Sequence, residues 1–214
     1  KMRVENSFLK LYENPDVALH AAKEIRNDEN ALVTKDILTR AYLMKGDYLE
    51  SVRDAFEKSN TQQSNQKLLS TLIIAREFSH LNLYEQTANL IEPVLLEKNK
   101  SKKDEDQGVY AKLFQLEARN LIALKKLDTA EKNLQISSDY AQNQQSSFAL
   151  ISKENQYLKA TLEFEKGNIT EALKISDQLL LDLQSITRAK YLFAITQQLR
   201  GQLFFEQQKY NQSI

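Results

Sequence analysis

The stretch Thr39-Arg40-Ala41-Tyr42-Leu43-Met44-Lys45-Gly46-Asp47-Tyr48, continuing through Ser51 to Phe56, decides the fold. A small residue and an aromatic lie three apart, so Thr39 and Tyr42 share one face of a helix. Gly46 supplies a turn, because glycine alone enters the left-handed region without steric cost. Tyr48 and Ser51 then open a second helix with the same three-residue spacing. Two short amphipathic helices cannot bury their apolar faces by themselves, so such a unit has to stack on copies of itself.

The copies are present. In the third unit Ala75 and Phe78 stand for Thr39 and Tyr42, Asn82 for Gly46, and Tyr84 and Thr87 for Tyr48 and Ser51. Asn tolerates the left-handed conformation that the turn needs. The fourth unit carries Ala118, Leu121, Leu127 and Ala130, the fifth Ala160, Gly167, Ile169 and Ala172, and a sixth begins with Gly201, Phe204 and Tyr210. A partial first unit has Phe8, Leu9, Leu11 and Tyr12 as one stripe. Asn14 is placed to cap its second helix, with Pro15 at the first helical position. The small residue of the first helix recurs at 39, 75, 118, 160 and 201, in steps of 36, 43, 42 and 41 residues, so later units need longer helices.

These spacings predict an all-α chain: a single domain over 1–214 with repeats at about 1–29, 30–60, 64–98, 107–145, 147–185 and 187–214, the last lacking its second helix. A stack without a polar end exposes apolar surface, so the natural protein is expected to continue past Ile214. Pro93 lies inside a helix, where the missing N–H predicts a kink or an early end. The polar run Asn99 to Gln107 predicts the longest loop.

Composition agrees with this class and narrows function. The chain of 214 residues has only four Gly and two Pro, as long helices with short connections require. Lys plus Arg equals Asp plus Glu at 29 each, so charge balance points to neither nucleic acid nor membrane as a partner. No run of apolar residues is long enough for a membrane span. Cysteine is absent, which excludes disulfides and thiolate metal sites. His20 and His80 stand far apart without metal-ligand spacing, and no nucleophile or phosphate-loop motif occurs. No catalytic residue, metal or cofactor is expected. The nine Tyr and nine Phe mostly occupy repeat positions, so Tyr42, Tyr48, Phe78, Tyr84 and Phe204 read as core.

One constellation points to binding. Arg40, Arg76 and Arg119 each directly follow the small residue of their first helix, with Asp36, Leu72, Gln115 and Tyr157 at the positions one helical turn earlier. A helix turns about 100° per residue, so the three Arg should share one side and form a basic ladder. A guanidinium takes both oxygens of a carboxylate at once. The expected ligand is therefore a protein or peptide, acidic in character, with Arg40, Arg76, Arg119, Asp36, Gln115 and Tyr157 as the binding set. The bland alternative is that each Arg is tied to a local acid, Asp36, Glu77 or Glu117.

The pattern resembles the tetratricopeptide repeat, most closely in Thr39 to Ser51 and in Phe164 to Ala172. It departs in having no Trp, in periods above forty, and in Lys125 where a turn Gly is usual. The resemblance implies a right-handed α-solenoid whose concave groove carries the Arg ladder. Asn-Pro-Asp-Val-Ala-Leu-His-Ala-Ala-Lys (14–23) and Tyr-Leu-Met-Lys-Gly-Asp-Tyr (42–48) look like the repeats preceding a membrane span and an AraC-type DNA-binding domain in some bacterial regulators. That likeness implies the sensor or interaction region of a larger signalling or transcription-regulatory protein, periplasmic if membrane-anchored and otherwise cytoplasmic. Two other readings stay open: a stand-alone assembly or chaperone-type adaptor, and a peptide-sensing regulator like the response-regulator aspartate phosphatases. Self-association is open as well.

Overall fold

The computed structural model describes residues 11, 14–24, 31–47, 49–50, 53, 64–96, 104–142, 150–186 and 189–207. The described residues are all-helical with no strand, and the helices gather into two compact units, Lys1–Leu96 and Glu97–Ile214.

In the first unit α1 (Pro15–Glu24) packs on α2 (Ala31–Met44), α3 (Ser64–His80) packs on α4 (Tyr84–Leu96), and α2 touches α3. α1 starts as its residues dictate: Pro15 is its first member and the Asn14 side-chain oxygen accepts from the Val17 amide at 3.2 Å. Leu11, Ala18, Leu19 and Ala22 close over Ile37 and Ala41, and Tyr42 packs against this cluster. Leu69, Ile73 and Ile74 form the core of the second pair, with Phe78 against them. Tyr84 is half-buried and donates its hydroxyl hydrogen to Asn82. α4 runs through Pro93 as far as Leu96, three residues beyond the expected disturbance.

The second unit contains α5 (Asp104–Ala123), α6 (Leu127–Gln142), α7 (Ile151–Glu165), α8 (Ile169–Leu183) and α9 (Lys190–Glu206). Each helix packs on the next, α7 also packs on both α5 and α9, and α6 and α8 make at most a marginal contact. Ala118, Leu121 and Ile122 of α5, Ala130 and Leu134 of α6, and Leu158 and Leu162 of α7 form one core. Ala160, Ala172, Leu199 and Leu203 form the next, joining α7, α8 and α9. α5 begins at Asp104, so the expected loop is shorter than the polar run suggested.

One turn geometry recurs at four places along the chain. Gly46 and Gly167 have φ of 76° and 82°, and at the equivalent places Asn82 and Lys125 have φ of 60° and 58°. All four close the same cap, in which the amide of the next residue reaches back across the turn. Asp47 donates to Tyr42, Leu83 to Phe78, Lys126 to Leu121 and Asn168 to Glu163, at 2.8 to 2.9 Å. This is the Schellman arrangement, which satisfies carbonyls left over at a helix end. Seven residues before each left-handed residue lies a buried small one, Thr39, Ala75, Ala118 or Ala160. Five residues after three of them lies a fully buried Thr87, Ala130 or Ala172. Gly201 is half-buried and Phe204 buried on α9. Phe8, Leu9, Tyr12, Tyr48, Ser51, Phe56, Tyr210, most of the expected helix over 48–59 and most of the polar run over 99–103 lie outside the described residues.

Candidate binding surface

Position along each first helix decides what every side chain of the expected ladder meets. Arg40 is half-buried between buried Thr39 and Ala41 on α2. Arg76 is half-buried on α3, its Nε 3.8 Å from the Glu77 carboxylate, which is itself only 2% exposed. Arg119, on α5, is exposed. The three therefore differ in environment although their register is the same. The next residue in each helix is buried, as Ala41, Glu77 or Asn120, so Arg76 alone has a carboxylate directly adjacent in sequence.

Of the residues one turn earlier, Leu72 and Gln115 are buried. Asp36 lies on α2 with its side chain outside the described part. Gln115 is buried: its amide donates to the Asn155 side-chain oxygen at 2.7 Å and to the Ile151 carbonyl at 3.2 Å. Asn155 continues the chain, donating to Ser137 at 2.9 Å and to Ser138 at 3.2 Å, while the Ser137 hydroxyl donates to the Ala111 carbonyl at 2.8 Å. Gln115 thus belongs to an interior network spanning α5, α6 and α7. Tyr157 is half-buried on α7; burial pushes its phenol up, a hydrogen bond with the Thr161 side chain and then the nearby Arg119 charge draw it part of the way back, and Tyr191 of α9 raises it.

Pairs that sequence reading did not single out tie the helices of the second unit together. Lys112 of α5 bonds Glu154 of α7, and Lys125 at the α5–α6 turn bonds Glu165 at the end of α7. Lys153 of α7 bonds Asp182 of α8, and Lys166 bonds Glu131 of α6 at 2.9 Å. The partners of Lys112 and Lys125 are 42 and 40 residues on, within two residues of the 42-residue step from Ala118 to Ala160. A search for opposite charges at one repeat spacing would have found them.

His20 is exposed, 3.5 Å from Glu24, and His80 is exposed on α3. Among the described residues no group of three or more His, Asp and Glu is placed to hold a metal, and no helix is long and apolar enough to cross a membrane. Comparison with known protein families, with curated proteins and with solved structures finds no match to this chain. The class defined by the described residues is an all-α protein of consecutively packed helices with a recurring helix–cap–helix unit.

Proposed function

We propose that the chain is a tetratricopeptide-like region, a right-handed superhelix that holds a protein or peptide on the face formed by its first helices. We further propose that it serves as the sensor or interaction region of a larger bacterial signalling or transcription-regulatory protein. It acts through surface contact and not through a reaction. The observation that carries the reading is the fourfold recurrence of one cap, at 46, 82, 125 and 167, with a buried small residue seven positions before each. A stack of such units presents a continuous surface that one extended segment can span.

Packing in the second unit supports the choice of face. α7 adjoins both α5 and α9, whereas α6 and α8 scarcely meet, so the first helices lie closer together than the second ones. A layer with the shorter spacing forms the inside of a curve.

The test is selection of randomised displayed peptides on the whole chain, followed by amide-exchange mapping of those retained. Protection of α5, α7 and α9 is the expected result. Protection confined to α6 and α8, or no retained peptide, would overturn the reading. The regulator assignment is tested by the gene around this stretch, which should encode a membrane span and a helix-turn-helix.

A further inference from the structure

Charged rungs join α5 to α7, and one of them lacks its acid. Lys112 reaches Glu154 and Lys125 reaches Glu165. Arg119 is seven residues beyond Lys112, two helical turns, so it stands on the same side of α5. On α7 the residues Glu154, Tyr157, Thr161 and Glu165 follow at spacings of three, four and four, a single stripe. The middle cation therefore looks across at Tyr157 and Thr161, neither of which is an acid. Arg119 is exposed and makes no ion pair or hydrogen bond among the described residues. Lys112 and Lys125, on either side of it, do.

We propose that Arg119, with Tyr157 beside it, anchors an Asp or Glu side chain of a bound protein segment that crosses α5 and α7. This rests on the reading of the first-helix face as the binding surface. Charge complementarity selects the occupant: two rungs are already Lys-to-carboxylate, and an incoming carboxylate completes the third. The guanidinium fork takes both of its oxygens, and the Tyr157 hydroxyl can donate a further hydrogen bond. A carboxylate fits better than a phosphate. One monoanion balances one guanidinium, as one carboxylate balances one lysine in the rungs on either side.

The test uses peptides retained by the intact chain from a randomised display, resynthesised with each acidic residue changed to its amide. Retained peptides should share an Asp or Glu. Its replacement by the amide and Arg119→Ala should each weaken binding at least about tenfold, about 1.4 kcal/mol, and the two together should do little more than either alone. Arg119→Lys should recover part of the loss, and added salt should shrink the difference. Unchanged thermal melting of Arg119→Ala would show that the loss is not one of folding. Peptides that bind wild type and Arg119→Ala alike, or that share no acid, would overturn the anchor while leaving the binding face intact. Tighter binding of a phosphoserine in place of the acid would overturn the choice of carboxylate. Failure to retain any peptide would overturn both readings.

Discussion

Gly167→Val isolates the cost of the left-handed cap. A Cβ at Gly167 meets no atom within 4 Å, so the side chain has open space and only the backbone, at φ 82°, resists it. Left-handed geometry costs an L-residue ~1–2 kcal/mol, and a β-branched residue is among the least tolerant. Stiffening the unfolded chain would return roughly 0.4–1 kcal/mol at a compatible site, but here the native conformation is the incompatible one. The expected net loss is about 1–2 kcal/mol, a fall of roughly 2–4 °C per kcal/mol for a chain of this size. Gly46→Val, at φ 76° and equally open, should behave the same way. Asn82 and Lys125 calibrate the effect from within the molecule: their φ of 60° and 58° lies near the left-handed minimum at about 57°. Gly167→Asn should therefore lose less than half as much as Gly167→Val. Urea unfolding followed by circular dichroism reads this as a shift in midpoint at constant slope. An unmoved midpoint for Val refutes the backbone argument, and equal losses for Asn and Val refute the claim that φ is the cause.

Ala118 is fully buried among Leu121, Ile122, Leu134, Leu158 and Leu162, so Ala118→Leu should overpack that core by about 1–3 kcal/mol in the same urea assay. Asn155→Leu should cost about 1–3 kcal/mol by leaving part of the buried polar network without partners, and a Gln115 truncation added to it should be non-additive. The Asp182 carboxyl is held below its ordinary value of 3.8 by the hydrogen bond from Lys153, then by that from Gln178. A folded-state pKa below the unfolded one contributes stability that is complete above the ordinary carboxylate range and disappears as pH falls through the lowered value. Lys153→Met should therefore be less stable than wild type near neutrality, with the gap closing on acidification; a gap constant with pH would show that the pair is not its source.

How much was legible in the residues can be judged turn by turn. Gly46 and Gly167 announced themselves, and Asn82 was readable because its side chain tolerates the left-handed region. Lys125 was placed at a turn by register alone, because nothing in a lysine asks for φ of 58°; the packed helices on either side impose it. The small residues were visible because close helix packing leaves no room for larger ones. The Arg ladder was legible only as register. Position on a helix says which side a residue leaves from, but depth depends on neighbours: Arg76 sits beside buried Glu77, while Arg119 is exposed. Gln115 looked like groove floor by the same register, yet Asn155, forty residues away, draws it inward. Pairings across a repeat are long-range and leave no local trace.

The hydrogen bonds that run from Gln115 through Asn155 to Ser137 and Ser138 bind three helices from two consecutive repeats. In a stack where each repeat touches only its neighbours, an end can open alone and the opening can travel inward one unit at a time. A polar cluster shared between repeats forbids that at α5, α6 and α7, because parting any one of them strands donors inside an apolar core. Those three helices must come apart in a single event, so their slowest amide protons should exchange at a common rate, while α9 loosens independently. Repetition supplies the surface, and this one irregular cluster supplies the place where the stack behaves as a block.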